Sequence, residues 1–589
     1  MKPLREKLSS LVAEAFRTAG LDPSLGEVVV SARPDLGQFQ CNGPLPAAKA
    51  AKASPRQIAQ AVVDRLAHDD VFRYVSVAGP GFINLSLTDE FLATHAREMR
   101  SDQNLGCAPV ASPQRIVLDY GGPNIAKPMH VGHLRAAIIG ESLKRLARYL
   151  GHDVVGDVHL GDWGLQMGMV IAELARRRPD LPYFEATRSG PYPSASPVSA
   201  SELEEIYPTA SQRAKADPGF AEAARQATFE LQQGRPGYRA LWRHLVDVSV
   251  AELKADYDRL EVGFDLWLGE SDAQPWIPPL IERLRAGGHA RESEGALVVD
   301  VAEAGDAKEL PPLLLLKSDG AALYGTTDLA TLDHRVRDLG AQRVLYVVDK
   351  RQADHFTQVF RAARRTGIAP PAVGLEHIGF GTMNGSDGRP FKTREGGVMK
   401  LRDLLDLVTA KARERIREAG VARDYPPDEV ERIAQLVGIA TLKYADLSNH
   451  RAKDYIFDLE RFSSFEGRTG PYLLYAAVRT RSILRKAAEA GLVPGTLAPA
   501  ADDVERGVLL TLARYPDSLH AAFENRAPNI LCDYAYELAT AFTRFYQEHH
   551  ILSQTDPARR ASWLGLCDLT VRVLLQVLEL LGIRVPERM

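Results

Sequence analysis

Two histidines, His130 and His133, stand three residues apart around Gly132. Imidazoles at that spacing can donate to phosphoryl oxygens as negative charge grows on them. The residues before them decide whether they can be aimed at a ligand. The run 115–120 is short, apolar and partly β-branched, and reads as a buried strand. Gly121, Gly122 and Pro123 break it, and Pro128 fits the opening turn of a helix. That helix would bury Leu134, Ile138, Leu143, Leu146 and Leu150 at helical spacing, with Gly151 capping it. Both histidines then fall in its first turn, on one face. A helix N-terminus after a strand of a parallel sheet is a natural phosphate site. Gly132 has no Cβ, so a flat base can lie on the backbone there. Taken alone, the quartet also fits two solvated or capping histidines.

The wider stretch Pro123-Asn124-Ile125-Ala126-Lys127-Pro128-Met129-His130-Val131-Gly132-His133-Leu134-Arg135 resembles the HIGH motif of class I aminoacyl-tRNA synthetases, in the form typical of arginyl-tRNA synthetases. That resemblance implies a site for free arginine, whose planar donor fork calls for carboxylates. Asp119 ends the first strand, where open α/β sheets bind ligands. Tyr324 and Asp328 are four apart and share a face if their segment is helical. By resemblance they hold the guanidinium end and Asp119 assists. Read without it, Asp328 is a carboxylate near a helix N-terminus and Tyr324 a half-buried core aromatic. Asn124 and Gln352 match the family's positions for the backbone end of the amino acid; unaided, Gln352 reads as a surface loop residue. The family commonly carries Ser before the Pro-Asn pair, where this chain has Gly121 and Gly122.

The segment 385–397 has glycines at both ends and cations between, and resembles the degenerate KMSKS loop of these enzymes. Lys392 and Arg394 would neutralise the β- and γ-phosphates of ATP as pyrophosphate leaves; a solvated basic hairpin is the plain alternative. The family pattern assigns Lys127 the place of the lysine that this loop lacks. His130, Gly132, His133 and Lys392 are the implied ATP contacts, and Mg²⁺ is expected with ATP, held mainly through phosphates and waters. No tightly bound metal site within the protein is expected.

Residues 1–110 read as a first unit, with a helix over 4–19 and a strand over 27–32. Residues 111–400 show the strand–helix alternation of a Rossmann-like, doubly wound parallel sheet. A helical insertion interrupts it at about 176–270. Strand-like runs at 296–301, 313–317 and 343–348 resume the alternation. Residues 401–589 read as helical throughout. The fold class expected is thus α/β multidomain, with an α+β N-terminal domain and an all-α C-terminal bundle. By resemblance the first unit touches the elbow of tRNA and the last binds the anticodon. Tyr472 and Arg479 carry over best for that role, with Tyr546 and Met589 after them; helix-bundle core is the other reading of the tyrosines.

At 589 residues the chain exceeds what one core supports. Its net charge of −4 shows no global nucleic-acid signature, so a tRNA partner needs local basic surfaces. Cys41, Cys107, Cys532 and Cys567 form no CxxC pair, which suits a reducing compartment and argues against a disulfide framework. The first residues do not look like a signal peptide, and the apolar run 571–583 is too short and too polar to span a bilayer. A cytoplasmic protein with no membrane partner is expected, monomeric by default. The resemblance implies ATP-dependent activation of L-arginine to arginyl-adenylate and its transfer to tRNA-Arg. A non-catalytic tRNA-binding paralogue of the family is the alternative.

Overall fold

In a computed structural model, residues 2–306, 308, 310–318, 320–389, 391, 399–421 and 423–589 are described. The chain forms two compact units, one of residues 1–110, 415–440 and 463–589, the other of 111–414 and 441–462.

The second unit is built on five strands: β1 Arg115–Tyr120, β2 Asp153–Leu160, β3 Leu266–Gly269, β4 Arg343–Val347 and β5 Gly374–His377. Their order is β5-β4-β1-β2-β3, and every pairing is parallel. Helices α1 Val131–Tyr149, α2 Leu165–Arg177, α3 Ala200–Ala216, α4 Pro218–Gln232, α5 Pro236–Arg259, α6 Tyr324–Arg337 and α7 Ala353–Arg365 surround or extend this sheet. β1 lies at its centre, and Ile116, Val117 and Leu118 are buried. That double cover explains why the strand reads as a continuous apolar run and not as an alternating one. Helix α1 buries Leu134, Ile138, Leu143 and Leu146, and Gly151 just beyond it takes φ +91°.

Two strand-like runs do not join the parallel sheet. Ala296–Val299 and Leu313–Leu316 pair antiparallel with each other, and Arg291–Ser293 completes that small sheet. Leu314, on one of them, is exposed. A short apolar run looks alike in either setting, because periodicity does not reveal the partner.

In the first unit, strands Val28–Val30, Phe39–Cys41, Phe82–Leu87 and Phe72–Ala78 form an antiparallel sheet in that order. The remainder is helical, from Gly470–Glu489 to Pro557–Leu580. The last helix is long and apolar enough to cross a membrane by length and composition, yet 72% of its most apolar window is buried inside the protein. It serves as a core helix, with Trp563, Leu566, Leu569 and Val573 all buried.

Candidate active site

Beyond β1 the backbone turns through Gly121 and Gly122, both at positive φ (+95° and +42°). A Cβ on Gly121 would lie 2.7 Å from Tyr257 Oη and 2.9 Å from Phe264 Cζ. A packed aromatic group, with Phe264 4.5 Å from Tyr120 and 4.9 Å from Tyr257 by ring centroid, fills the space a serine would need. The clash is confined to Gly121: the nearest atom to a Cβ on Gly122 is His159 O at 3.4 Å.

Residues 129–131 are held extended. Val131 N–H donates to Met399 O at 3.1 Å, and Leu401 N–H donates to Met129 O at 2.8 Å. Helix α1 therefore opens at Val131, three residues later than Pro128 suggests, and His130 is its N-cap and not a first-turn residue. His130 Nδ1 accepts the Gly132 N–H at 3.0 Å, and His133 Nδ1 accepts the His130 N–H at 3.2 Å. With both Nδ1 atoms accepting, a neutral ring carries its proton on Nε2. Burial lowers the pKa of His130, helped by the charge of Lys127. Burial and then His130 pull His133 down to about 3. At neutral pH the pair is two neutral Nε2–H donors, 4.0 Å apart by ring centroid. A Cβ on Gly132 would sit 2.7 Å from His130 Cε1, so the glycine first of all makes room for the capping ring.

A cleft of about 310 Å³ opens at the carboxyl ends of the strands. Asp119 comes from β1, His159 from β2, Glu270 directly follows β3, and Tyr346 comes from β4. This is where open parallel sheets bind ligands. Helix α6 contributes Tyr324 and Asp328, one turn apart, while Asn124, Gly132 and His133 complete the signature side. Four carboxylates, those of Asp119, Glu270, Asp328 and Asp349, line the cleft, and no lysine or arginine is among its described lining residues. Burial raises the pKa of Glu270. The charge of Asp328, then burial, raises that of Tyr324, so its phenol keeps its proton. The arrangement offers a cation an acidic floor and a developing oxyanion a pair of donors.

Comparison with known proteins bears on the whole chain. The model for tRNA synthetases class I (R), catalytic domain, matches residues 97–459. The arginyl tRNA synthetase N terminal domain matches 4–87, and the DALR anticodon binding domain matches 473–589. The arginine–tRNA ligase of Alkaliphilus oremlandii is 52% identical over 590 residues, covering 100% of both chains. The chain belongs to the arginyl-tRNA synthetase family. The arginine–tRNA ligase of Maricaulis maris is 50% identical, again over 100% of both. In fold, the arginyl-tRNA synthetases of Plasmodium falciparum and Thermus thermophilus superpose with TM-scores of 0.82 and 0.81. Their identities are 23% and 24%, and each covers 100% of both chains. The expected fold class, a parallel-sheet class I catalytic core with an α+β N-terminal part and a helical C-terminal part, is the one found.

The other residues singled out from the sequence are spread more widely. His130 lies beside the cleft and outside its lining. Lys127 turns the other way: its Nζ sits 4.6 Å over the ring of Tyr207 on α3, and it lines a smaller pocket beside the inserted helices. Gln352 ends a short 3-10 turn after β4 and is exposed, outside the lining, while Asp349 in the same turn region is part of it. Lys392 and Arg394 lie outside the described residues. In the first unit, Arg479 Nη2 donates to Thr543 Oγ1 at 2.6 Å, and its guanidinium lies over the rings of Tyr475 and Tyr546. Arg479 and Tyr546 line a cleft of about 610 Å³ with Ser482, Lys486, His549 and His550. Tyr472 packs on Tyr536 outside that lining, and the half-buried Met589 also lies outside it.

Sequence reasoning missed Glu270, His159 and Tyr346. None belongs to a local motif, and only the parallel strand order brings them to Asp119. The position of each just at or after an apolar strand was the one available signal.

Proposed function

We propose that this chain ligates L-arginine to tRNA-Arg in two steps at the strand-end cleft. The acidic lining, four carboxylates without a lysine or arginine among the described residues, is the observation that carries the reading. It suits a cationic amino acid placed within reach of a helix N-terminus that faces phosphate.

The arginine carboxylate attacks the α-phosphorus of ATP. The new C(O)O–P bond forms as the bond to the β-bridging oxygen breaks, and that electron pair leaves with pyrophosphate. A terminal ribose hydroxyl of tRNA then attacks the activated carbonyl; the new ester C–O bond forms as the carbonyl carbon–phosphate oxygen bond breaks, its electron pair leaves with AMP, and the hydroxyl proton is released to solvent. No protein nucleophile takes part, so catalysis rests on positioning and charge. Asp328, Tyr324 and Asp119 take the guanidinium, with Glu270 beside them. Asn124 and Gln352 take the backbone end, and Gln352 has to swing inward to do so. His130 and His133 donate through Nε2–H to oxygens of ATP, with Gly132 beside them. Lys392 and Arg394 serve the β- and γ-phosphates, with Lys127 in support once it leaves Tyr207. Mg²⁺ arrives with ATP, bound mainly by phosphates and waters. Tyr472, Arg479, Tyr546 and Met589 serve the anticodon, the 1–110 segment the tRNA elbow, and 111–400 the chemistry. The enzyme acts as a cytoplasmic monomer.

The test is ATP–pyrophosphate exchange with each amino acid in turn, with and without tRNA. Exchange with arginine alone, appearing when tRNA is added, is the expected result. Exchange with another amino acid, or none with any, would overturn the reading.

A further inference from the structure

Helix α6 carries a third group on the face that holds Tyr324 and Asp328. Arg335 follows Asp328 by seven residues, two turns along, and is 1% exposed. Its Nη2 donates to Asp119 Oδ2 at 2.6 Å and to Asp157 Oδ2 at 2.6 Å. Asp157 is wholly buried, on β2, and Asp119 is on β1. The ring of Tyr346, itself part of the cleft wall, lies 5.2 Å from the guanidinium carbon. Arg335 is thus a resident guanidinium just beneath the acidic floor.

We propose that Arg335 is a positioning residue that sets arginine specificity by committing one oxygen of Asp119 and leaving the other for the substrate. The inference rests on the arginine-site reading above. Left alone, two neighbouring carboxylates repel and rotate apart. One shared donor removes that repulsion and fixes the Asp119 plane. Asp328 is handled in the same way, since His355 Nε2 lies 2.6 Å from its Oδ2. Each carboxylate then presents a single aimed oxygen. Two separated single acceptors match a planar fork with donors on different nitrogens, and serve the point charge of lysine poorly.

Steady-state exchange in the presence of tRNA tests this with R335K, R335M, D119N and D119N/R335M. R335K keeps the charge and most of the volume but cannot hold two carboxylates in one plane, so the test does not hang on R335M folding. The expected result for R335K and R335M is a KM for arginine raised about tenfold or more, the scale of one displaced charge-assisted hydrogen bond. The KM values for ATP and tRNA stay near wild type. D119N raises the arginine KM on its own, and adding R335M to it costs little more, because both changes spoil the same oxygen. Similar rises in all three KM values, or effects that multiply in the double variant, would assign Arg335 a merely structural part and overturn the proposal. An unchanged arginine KM in D119N would instead overturn the site reading on which it stands.

Discussion

His355 Nε2 and Asp328 Oδ2 lie 2.6 Å apart, and the same imidazole packs against Tyr324 at 4.8 Å by ring centroid, the rings inclined at 31°. One ring from α7 therefore orients both residues that α6 presents to the cleft. A carboxylate so held is pre-aimed, and a bound guanidinium meets it without reorganising it. D328N keeps the shape and removes the charge. Arginine activation should fall about a hundredfold or more, the scale of losing a buried charge-assisted contact, while ATP and tRNA binding persist. H355A should cost less, about tenfold and mostly in arginine KM, since it frees the carboxylate without removing it. Exchange kinetics with filter-binding controls measure both. Full activity in D328N would remove the guanidinium role from this residue.

The histidine pair makes a statement about pH. Both rings have pKa values below the ordinary one, His133 down to about 3, and both Nδ1 atoms are occupied by backbone donors. Catalysis through neutral Nε2–H groups should show no acid limb near ~6.5, the ordinary histidine value, in kcat against pH. Between about 3 and ~6.5 the unfolded chain binds a proton at His133 that the folded chain refuses, so this ring's contribution to stability is lost as pH falls through that window. H133N should lower kcat about 10²–10³-fold, as loss of one preorganised donor does, with arginine KM little changed. A limb at the ordinary histidine value would mean the rings work as imidazolium ions.

Much of this site is local in the sequence, and what is local was legible. The β1 run, its glycine break and the α1 stripe of Leu134, Ile138, Leu143 and Leu146 are set by neighbours within a few residues. What fails is whatever a distant strand decides. Helix α1 starts late because 399–401 holds Met129 and Val131 extended, and nothing near Pro128 announces that pairing. The runs at 296–299 and 313–316 look like core strands, yet pair antiparallel on their own. Lys127 stands next to the histidines in sequence, but its direction is set by Tyr207 on an inserted helix. Asp157 and Arg335 carry no motif and meet Asp119 only through the order of β1, β2 and α6.

Serine at Gly121 or Gly122 should carry a cost. G121S places a Cβ 2.7 Å from Tyr257 Oη at φ +95°, combining backbone strain with overpacking, each about 1–3 kcal/mol. G122S, at φ +42° with His159 O 3.4 Å away, should cost only the strain, about 1 kcal/mol. Neither should tighten arginine binding. Tyr257 Oη is buried without a hydrogen-bond partner among the described residues, so Y257F should be neutral or mildly stabilising. Thermal melts and arginine KM check all three. A G121S protein of wild-type melting temperature and lower arginine KM would mean the aromatic wall yields to the family's serine.

Arg479 gives the corresponding prediction for the other unit. Its guanidinium lies 5.3 Å from the Tyr475 ring centroid and 5.1 Å from that of Tyr546, and Thr543 Oγ1 accepts from Nη2 at 2.6 Å. Both tyrosines are exposed at 37% and 39%, so the stack is open to an unpaired base. A plane of this kind binds bases through stacking worth about 1–3 kcal/mol each, and a lysine cannot supply it despite its charge. R479K should therefore raise the KM for tRNA about tenfold, with KM for arginine and ATP unchanged, and Y546A should do the same. If charge alone mattered, R479K would behave as wild type and only R479A would weaken tRNA. Comparing the two substitutions at two salt concentrations separates the cases, because a phosphate contact loses its worth as salt rises while a stacked base keeps most of its own.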